Sequence, residues 1–580
     1  MRRRTAILAA SLPMVAAPTL AAPEPALQLT LLPIAETDGR IERLEVTQVW
    51  TGVSAQAGAP VLRLPLIVSN VDTVATGLTD LVAHDARGAL SLTTRDVDLP
   101  VTAARDAEAG GPSREWIAAR AITGKLTVRY SMPAQAVLPP RGAAPPFSFS
   151  GDGGGVSAAG QVFLLLPPGD GKYRLRLNWD LSAAPRGTQA VSSLGIGNQH
   201  PGIAVSGAKL RSSFYMAGPL QVWPGDLRAR FIVAAQGSPG FFVPDLASWA
   251  ARLHTRYAAF FGQQKTPAYV VFLRHNPINA GGGVGLDHSF VLTFGKNGGD
   301  DAEKLKLTLA HEMFHTFQPF IAQPAGLESS WFGEGLASLY EVRLPLRFGQ
   351  IRPPDFLDRI NFAAGRYYTS AMATVPNAEV PRRFWADTRI RTLPYDRGML
   401  YFAAVDAAMR RTHGGKRSLD DLVLATLSRQ AGGARTSNAD WEALLEQELG
   451  LTAVSEFRAF LNGALQLPPS DAFGPCFRRT TRPLRRYEVG FEPAVLAEPR
   501  RVVRGVIPGS AAAAAGLRDG DEIVDPVPQD GIQGNQTQQL TLKLRRGDDV
   551  FSIKYLPRGE TVDSYQWERV ADVADDRCAL

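Results

Sequence analysis

Residues 311 to 315 read His-Glu-Met-Phe-His, which places two histidines four residues apart. On a helix this spacing puts His311 and His315 on one face, one turn apart, where two imidazoles can bind one metal ion. Glu312 lies about 100° round the helix axis, where it could take a proton from a metal-bound water. Glu334, separated from His315 by eighteen residues, is our candidate third ligand. The set predicts one catalytic Zn²⁺ per chain with a fourth, open position.

The residues around this motif are typical of a helix. Asp300 and Glu303 have the acid-x-x-Glu spacing of a capping box. The run Leu305–Ala310 contains no glycine or proline, and Pro319 would end the helix soon after the motif. The alternative is that both histidines are only structural. With eight histidines in 580 residues, a chance motif is expected in roughly one such chain in a few hundred, which favours the metal site.

Three further stretches carry a family resemblance. They are a glycine-rich segment at 281–288 (GGGVGLDH), Tyr395-Asp396-Arg397-Gly398, and a stretch at 502–524 with the Gly-Ser-Ala, Gly-Leu and Asp-Gly-Asp pattern of a PDZ domain. Together with HEMFH and WFGEGLASLYE, they resemble the gluzincin zinc metallopeptidases, and among these the glycyl aminopeptidase family. The resemblance covers most of the chain after residue 240 and is strongest at the zinc motif.

The resemblance implies roles for several residues. In that family a tyrosine at the position of Tyr395 stabilises the oxyanion of the transition state, and the glycine-rich loop, with Gly283 and Gly285, binds substrate. A glutamate after that loop binds the substrate's free α-amine. This chain has the shorter Asp287 there, which keeps the charge and alters the reach. The activity implied is removal of small N-terminal residues, of the Gly or Ala type, from peptides.

Each of these roles has a structural alternative. Tyr395 could be a residue at a helix start beside Pro394, and Asp287 could be an ordinary turn residue in a glycine-rich loop. Ser338, one turn after Glu334, could support a metal ligand or could be a serine on the helix surface. We also expect the strand Ser289–Phe294 to pair with a peptide substrate by strand addition.

Composition and the first residues bear on location. Residues 1–22 read as a signal peptide, with Arg2, Arg3 and Arg4 before an Ala/Leu-rich stretch. We therefore expect a bacterial protein exported to the periplasm or secreted, with no transmembrane segment after cleavage. Removing the three arginines lowers the formal charge from +6 to +3, and no basic patch suggests nucleic acid. In an exported protein Cys476 and Cys578 could form a disulfide.

The hydrophobic patterns predict an α+β multidomain chain. Period-two alternation, as in Lys172–Trp179, predicts an N-terminal antiparallel β domain over residues 23–238. Buried strands at 269–273 and 289–294 followed by long helical patterns predict a thermolysin-like α+β catalytic domain over 239–475. Short strands and the stretch at 502–524 predict a PDZ domain over 476–580.

Two further functions stay open beside the zinc aminopeptidase. One is a zinc endopeptidase on the same fold, and the other is an exported PDZ scaffold with an idle peptidase domain. The PDZ domain could capture a protein C-terminus or an extended segment, with residues 487–491 as the carboxylate loop. We expect it to tune the delivery of peptide substrates, so that a chain ending near residue 470 would still cleave aminoacyl amides.

Overall fold

The structure of the chain is a computed structural model. It describes residues 25–100, 110–134, 144–226, 228–277, 280–295, 299–527 and 529–580. The predicted signal peptide, residues 1–22, lies outside these ranges. In the part of the chain that is described, no helix has the length and apolar character needed to cross a membrane.

The described residues between 26 and 218 form the N-terminal β region, which has one hydrophobic core between its sheets. The seven-stranded sheet has the order Val205–Ser206, Lys172–Trp179, Ala26–Ala35, Ile41–Thr51, Leu126–Pro133, Thr79–Asp85, Gly88–Ala89. The five-stranded sheet has the order Ser150–Asp152, Gly155–Ala159, Phe214–Gly218, Gln189–Ser192, Gly195–Ile196. Smaller sheets join Pro60–Pro65, Gly111–Ala118 and Leu92–Leu99, and Ile67–Val68 with Val71–Asp72; one helix spans Gly207–Ser212.

The predicted alternation in Lys172–Trp179 is confirmed, because Tyr173, Leu175 and Leu177 are buried and the residues between them face outward. One pairing differs from the antiparallel domain that we predicted. The strand Lys172–Trp179 runs parallel to Ala26–Ala35. Period-two alternation reports that one face of a strand is buried and carries no information about the direction of its neighbour.

A central five-stranded sheet joins the N-terminal β region to the helices. Its strands lie in the order Leu220–Trp223, Phe231–Gln236, Tyr269–His275, Ser289–Phe294, Gly283–Leu286. Val270 and Phe272 face the core of the β region, whereas Val271 and Leu273 face the core of the helical region. The boundary predicted after residue 238 therefore falls two strands inside this sheet, because hydrophobic patterning does not show to which sheet a strand belongs.

The helical region contains the predicted helices near Tyr395 and through Trp441, which are confirmed. We name three of its helices for what they carry: the motif helix (Ala302–His315), the glutamate helix (Ser330–Arg347) and the tyrosine helix (Leu393–Thr412). The others are Val243–Phe260, Pro353–Tyr368, Val380–Arg383, Thr388–Arg391, Leu419–Ala431, Asn438–Leu449 and Leu451–Leu461.

The C-terminal residues divide into a ribbon and a small module. The ribbon pairs Phe477–Tyr487 with Arg558–Arg569, and its Phe477 and Trp567 lie in the core of the helical region. A disulfide joins Cys476 to Cys578 in the same core. The C-terminal module, residues 488–556, has a core of its own. It contains the strands Arg501–Val502, Glu522–Ile523, Leu540–Arg546 and Asp549–Tyr555 and the helices Ala511–Ala514 and Asp530–Gly534.

Candidate active site

The motif helix begins one residue later than the capping box predicts. Asp301 caps it, because its carboxylate accepts a hydrogen bond of 2.9 Å from the backbone N–H of Glu303. The Asp300 cap predicted from the acid-x-x-Glu spacing is wrong for this reason. The helix ends at His315, before Pro319. Both histidines lie in the helix, and the centroids of their rings are 4.8 Å apart.

His311, His315 and Glu334 come together with one possible ligand atom each, all within 4.8 Å of one another. Oε2 of Glu334 lies 3.2 Å from Nε2 of His311 and 3.3 Å from Nε2 of His315. A tetrahedral zinc with bonds of about 2.0–2.1 Å separates its ligand atoms by about 3.3 Å. Two histidines and one carboxylate also match the ligand types of catalytic zinc sites, so this group fits the metal.

Glu341 orients the His311 ring. Its Oε2 lies 2.7 Å from Nδ1 of His311, which fixes the proton on Nδ1 and leaves Nε2 facing Glu334. Arg359 forms an ion pair with the other oxygen of Glu341. Burial alone would lower the pKa of His311, but hydrogen bonds to Glu334 and Glu341 raise it to about 10. A metal ion bound at Nε2 would take the place of a proton shared there with Glu334, and the contact of Glu341 with Nδ1 would remain.

From the sequence, Ser338 was the residue that we considered as support for a metal ligand, and Glu341 was not considered. The Ser338 hydroxyl is buried and has no hydrogen-bond partner among the described residues. Glu341 follows Glu334 by seven residues, which is two helical turns on the same face, and this spacing was the available signal. His315 has a different partner, because its Nδ1 lies 2.7 Å from the side-chain amide of Gln318.

Glu312 and Tyr395 both face the cleft beside these ligands. Burial raises the pKa of Glu312, with the charges of the nearby histidines opposing the shift. Burial, together with the charges of Glu334 and Glu312, raises the pKa of Tyr395 well above its ordinary value, so the phenol keeps its proton. The Tyr395 ring stacks on His311 with centroids 5.8 Å apart. No described residue forms a hydrogen bond with its hydroxyl, which is a donor open to the cleft.

The cleft has a volume of about 1020 Å³ and is lined by residues from every part of the chain. Those that carry charge, or could carry it, are Lys209, Arg211, Asp287, His288, Glu312, His315, Glu334, Arg391, Tyr395 and Asp530. Lys209 and Arg211 belong to the N-terminal β region and Asp530 belongs to the C-terminal module. The sequence did not indicate Lys209, Arg391 or Asp530 as cleft residues. Each of them takes part in the site through contacts between distant regions of the chain.

The glycine-rich segment forms a hairpin whose first strand, Gly283–Leu286, is the outer strand of the central sheet. The strand Ser289–Phe294 is paired on both sides, with Gly283–Leu286 and with Tyr269–His275. Our expectation that Ser289–Phe294 pairs with substrate is therefore wrong, because both of its edges are occupied. Among the described strands, Gly283–Leu286 is the edge strand of this sheet that lines the cleft, and a Cβ on Gly285 would lie 3.1 Å from the Glu312 carboxylate.

Asp287 lies at the tip of this hairpin and is bound to the N-terminal β region. Its carboxylate forms an ion pair of 2.7 Å with Lys209, and its backbone N–H donates to the carbonyl of Ser212. The Asp287 carboxylate lines the cleft, as predicted for an amine-binding residue, but it already holds an ammonium group. Gly283 has a packing reason to be glycine, because a Cβ there would overlap the ring of Phe290.

The residues predicted as a carboxylate loop, 487–491, lie against the helix Ala511–Ala514 of the C-terminal module. A Cβ on Gly490 would lie 2.6 Å from Cβ of Ala512. The nearby Arg504 forms ion pairs with Glu492 and Glu498. This arginine is therefore committed to contacts inside the module, and capture of a chain end by this loop stays a prediction.

Comparison with known proteins shows similarity in structure alone. No protein-family model and no curated protein sequence matches the chain. The solved structure of an aminopeptidase N family protein from Idiomarina loihiensis is similar over 94% of this chain and 98% of its own, with a TM-score of 0.63 and 15% sequence identity. An M1 zinc metallopeptidase from Deinococcus radiodurans aligns over 77% of this chain and 94% of its own, with a TM-score of 0.45 and 16% identity. The chain thus shares the multidomain α+β fold of the Idiomarina protein.

Proposed function

We propose that this chain is a zinc aminopeptidase that removes N-terminal residues from peptides. The observation that carries the proposal is the convergence of His311, His315 and Glu334 beside Glu312 and Tyr395 in one cleft. One Zn²⁺ would have three protein ligands and an open position, which is the arrangement of catalytic zinc. The likeness to an aminopeptidase N family protein supports the same activity.

The side chains around the metal ligands suit peptide hydrolysis. Zinc, when bound, supplies a Lewis acid that activates water and polarises a peptide carbonyl. Glu312, which lines the cleft beside the metal ligands, accepts the proton of the attacking water and delivers it to the leaving amine. Tyr395 donates a hydrogen bond from its phenolic hydroxyl to the oxyanion that forms on the scissile carbonyl.

The hairpin at Gly283–Leu286 supplies the expected binding surface for the peptide backbone. An extended peptide would pair with the free edge of this strand, which passes over Glu312. Gly285 allows close approach because it has no side chain. We infer a preference for small N-terminal residues, Gly or Ala, from the resemblance of the glycine-rich segment to that of glycyl aminopeptidases. In this arrangement the α-ammonium of the substrate displaces Lys209 and binds to Asp287.

One observation favours a second candidate, a zinc endopeptidase on the same fold. The ammonium group of Lys209 already neutralises Asp287, at a distance of 2.7 Å. If that pair persists when substrate binds, the cleft has no need of a free α-amine at this position. A peptide bond inside a longer chain would then be accepted equally well.

Metal content and hydrolysis measured together test the proposal. The purified chain should hold one zinc and hydrolyse aminoacyl amides. Glu312→Gln should retain the zinc and lose hydrolysis by several orders of magnitude, because the water loses its proton acceptor. His315→Ala should lose both zinc and hydrolysis. Full activity in Glu312→Gln would overturn the proposal, and zinc binding without hydrolysis of any peptide would favour the idle scaffold.

Free and N-acetylated forms of one peptide distinguish the two peptidase candidates. An aminopeptidase cleaves only the free form, and Asp287→Asn should then weaken transition-state binding by on the order of 2 kcal/mol. Lys209→Met is the matched variant, since it removes the competing ammonium and leaves Asp287 intact. Equal cleavage of both forms would identify an endopeptidase.

We further propose that the protein is exported, to the periplasm or outside the cell, and that its C-terminal module is a PDZ domain that binds an extended peptide segment. The signal-like residues 1–22 support export. The disulfide between Cys476 and Cys578 agrees with it, because such bonds persist in oxidising compartments. Labelling of the two thiols in protein from intact cells, with and without prior reduction, tests the compartment.

A further inference from the structure

The cleft is lined by a pair of charged residues that joins the C-terminal module to the helical region. Asp530 forms an ion pair with Arg391, through Oδ1 to Nη2 at 2.5 Å and through Oδ2 to Nε at 3.2 Å. Oδ1 of Asp530 also accepts a hydrogen bond from the hydroxyl of Thr388. A second contact lies beside it, where the Gln533 amide donates to the hydroxyl of Thr392 at 3.2 Å. The C-terminal module therefore helps to form the cleft.

Arg391 is held by these contacts in one orientation. Its Nε and Nη2 are directed at Asp530 and Thr388. Among the described residues, none forms a hydrogen bond with its remaining nitrogen, Nη1. The Arg391 side chain is 9% exposed and lines the cleft. A guanidinium fixed along one edge in this way still has a second edge with free N–H donors.

Arg391 also lies one helical turn before Tyr395. The helix Thr388–Arg391 leads into the tyrosine helix through Thr392, which has helical dihedral angles. Residues four apart on a helix have Cβ atoms about 5–6 Å apart on the same face. If Tyr395 contacts the scissile carbonyl, Arg391 is placed about one to two residues along the peptide, since consecutive Cα atoms are about 3.8 Å apart.

We propose that Arg391, positioned by Asp530 of the C-terminal module, binds the C-terminal carboxylate of a short peptide substrate. The inference rests on the proposed peptidase function and adds a substrate class to it, namely dipeptides and other very short peptides. Arg391 is then a specificity-determining residue that contacts substrate, and Asp530 is a positioning residue that acts through Arg391.

A carboxylate is the group that this site fits best. Planar guanidinium groups recognise carboxylates through paired N–H donors, and a partly buried site strengthens such charged hydrogen bonds. Of the other two cations of the cleft, Arg211 is engaged with Asp170, and Lys209 lies beside Asp287, the residue that we assign to the α-ammonium of the substrate. Burial alone would raise the pKa of Asp530, but the charge of Arg391 lowers it, so the Asp530 carboxyl stays ionised at neutral pH.

Binding of a dipeptide and its amide to the inactive enzyme tests the inference. Zinc-loaded Glu312→Gln protein would be titrated calorimetrically with Ala-Gly and with Ala-Gly-amide, which differ only in the C-terminal charge. We expect the acid to bind at least tenfold more tightly. Adding Arg391→Met should abolish this difference, and adding Asp530→Asn should reduce it severalfold.

Asp521→Asn is the matched control for the positioning role. Asp521 forms a similar two-oxygen ion pair with Arg546, but both residues lie inside the C-terminal module. The Asp521→Asn substitution should leave the ratio of the affinities for the acid and the amide unchanged. Hydrolysis of aminoacyl amides by the wild type, with equal binding of acid and amide, would overturn the inference alone. Absence of hydrolysis of every peptide and amide would overturn the proposed function and the inference with it.

Discussion

Gly335 and Gly398 touch backbone to backbone where the glutamate helix crosses the tyrosine helix. A Cβ built on Gly335 would lie 2.6 Å from Cα of Gly398, and one on Gly398 would lie 2.5 Å from the carbonyl oxygen of Trp331. Contacts below about 3.0 Å do not occur at real Cβ atoms. The two glycines thus set the distance between the helix that carries Glu334 and the helix that carries Tyr395.

The first prediction concerns this crossing. Gly398→Ala should separate the two helices and move Tyr395, one turn away, so that kcat falls while the zinc ligands remain. We expect destabilisation of about 1–3 kcal/mol from overpacking, which exceeds the gain of about 1 kcal/mol from alanine's helix propensity. Gly365→Ala is the matched control, since its Cβ would meet only side-chain atoms at 3.5 Å. Equal kcat values for the two variants would contradict this account.

The second prediction concerns the partner of His311. Glu341→Gln removes the charge that holds the proton on Nδ1, so metal affinity should fall about 10–100-fold. Ser338→Ala, on the same helix, should leave affinity unchanged because the Ser338 hydroxyl has no partner among the described residues. Competition with a zinc chelator of known affinity measures both. A larger effect of Ser338→Ala than of Glu341→Gln would show that the assignments are reversed.

The third prediction concerns Tyr395. Tyr395→Phe removes the hydroxyl and should lower kcat by about a hundredfold or more, as expected for the loss of one oxyanion donor. Zinc content should not change, because His311, His315 and Glu334 all remain in this variant. Tyr401→Phe is the control on the same helix, since the Tyr401 hydroxyl accepts a hydrogen bond from Trp441 in the core. A Tyr395→Phe enzyme within threefold of wild type would assign Tyr395 to packing.

Local sequence signals predicted the elements of the site better than their surroundings. The strand Ser289–Phe294 was predicted with its observed bounds, and the spacing of the HExxH motif places His311 and His315 within one helix, as observed. These features depend on neighbours within a few residues. The edge position of Gly283–Leu286, by contrast, depends on which strands meet in the central sheet.

Contacts between regions could not be predicted from the sequence for the same reason. Lys209 precedes Asp287 by 78 positions and Arg391 precedes Asp530 by 139, and nothing in either segment indicates its partner. The parallel pairing of Ala26–Ala35 also joins distant strands. The ribbon was predicted as part of a PDZ domain over 476–580, on the basis of short strands and the stretch at 502–524, although Phe477 is buried in the helical core.

The fourth prediction concerns stability at acid pH. His254 is fully buried among aromatic rings, including Phe231 and Tyr269, and neither ring nitrogen has a partner among the described residues. Burial lowers its pKa to about 3, whereas an unfolded histidine has a pKa near 6.5. The neutral form is therefore favoured by folding, and this contribution is complete above pH 6.5 and is lost as pH falls toward 3.

In the wild type, His254 should lower the free energy of unfolding by about 1.4 kcal/mol for each pH unit between pH 6.5 and pH 4. His254→Phe lacks this group, so its free energy of unfolding should fall less over the same range. Urea unfolding of the metal-free protein measures this without interference from zinc binding. The same pH dependence in wild type and His254→Phe would show that His254 does not control it.

The fifth prediction concerns the C-terminal residues. A chain ending near residue 470 lacks Cys476, Phe477, Trp567 and Cys578, all of which are buried in the core of the helical region. Asn361 also exchanges two hydrogen bonds with the backbone of Trp567. We therefore expect this truncation to unfold or aggregate, which replaces our expectation from sequence that it would remain an active enzyme.

Deleting only the C-terminal module separates its role from that of the ribbon. Residues 488–556 would be replaced by a two-glycine turn, so that the strands of the ribbon stay paired and its aromatic residues stay in the core. This variant should keep a cooperative thermal transition and bind zinc, because the three ligands lie outside the deletion. It should lose the preference for a free C-terminal carboxylate, since Asp530 no longer holds Arg391. A folded and fully active chain ending at residue 470 would show that the ribbon is dispensable.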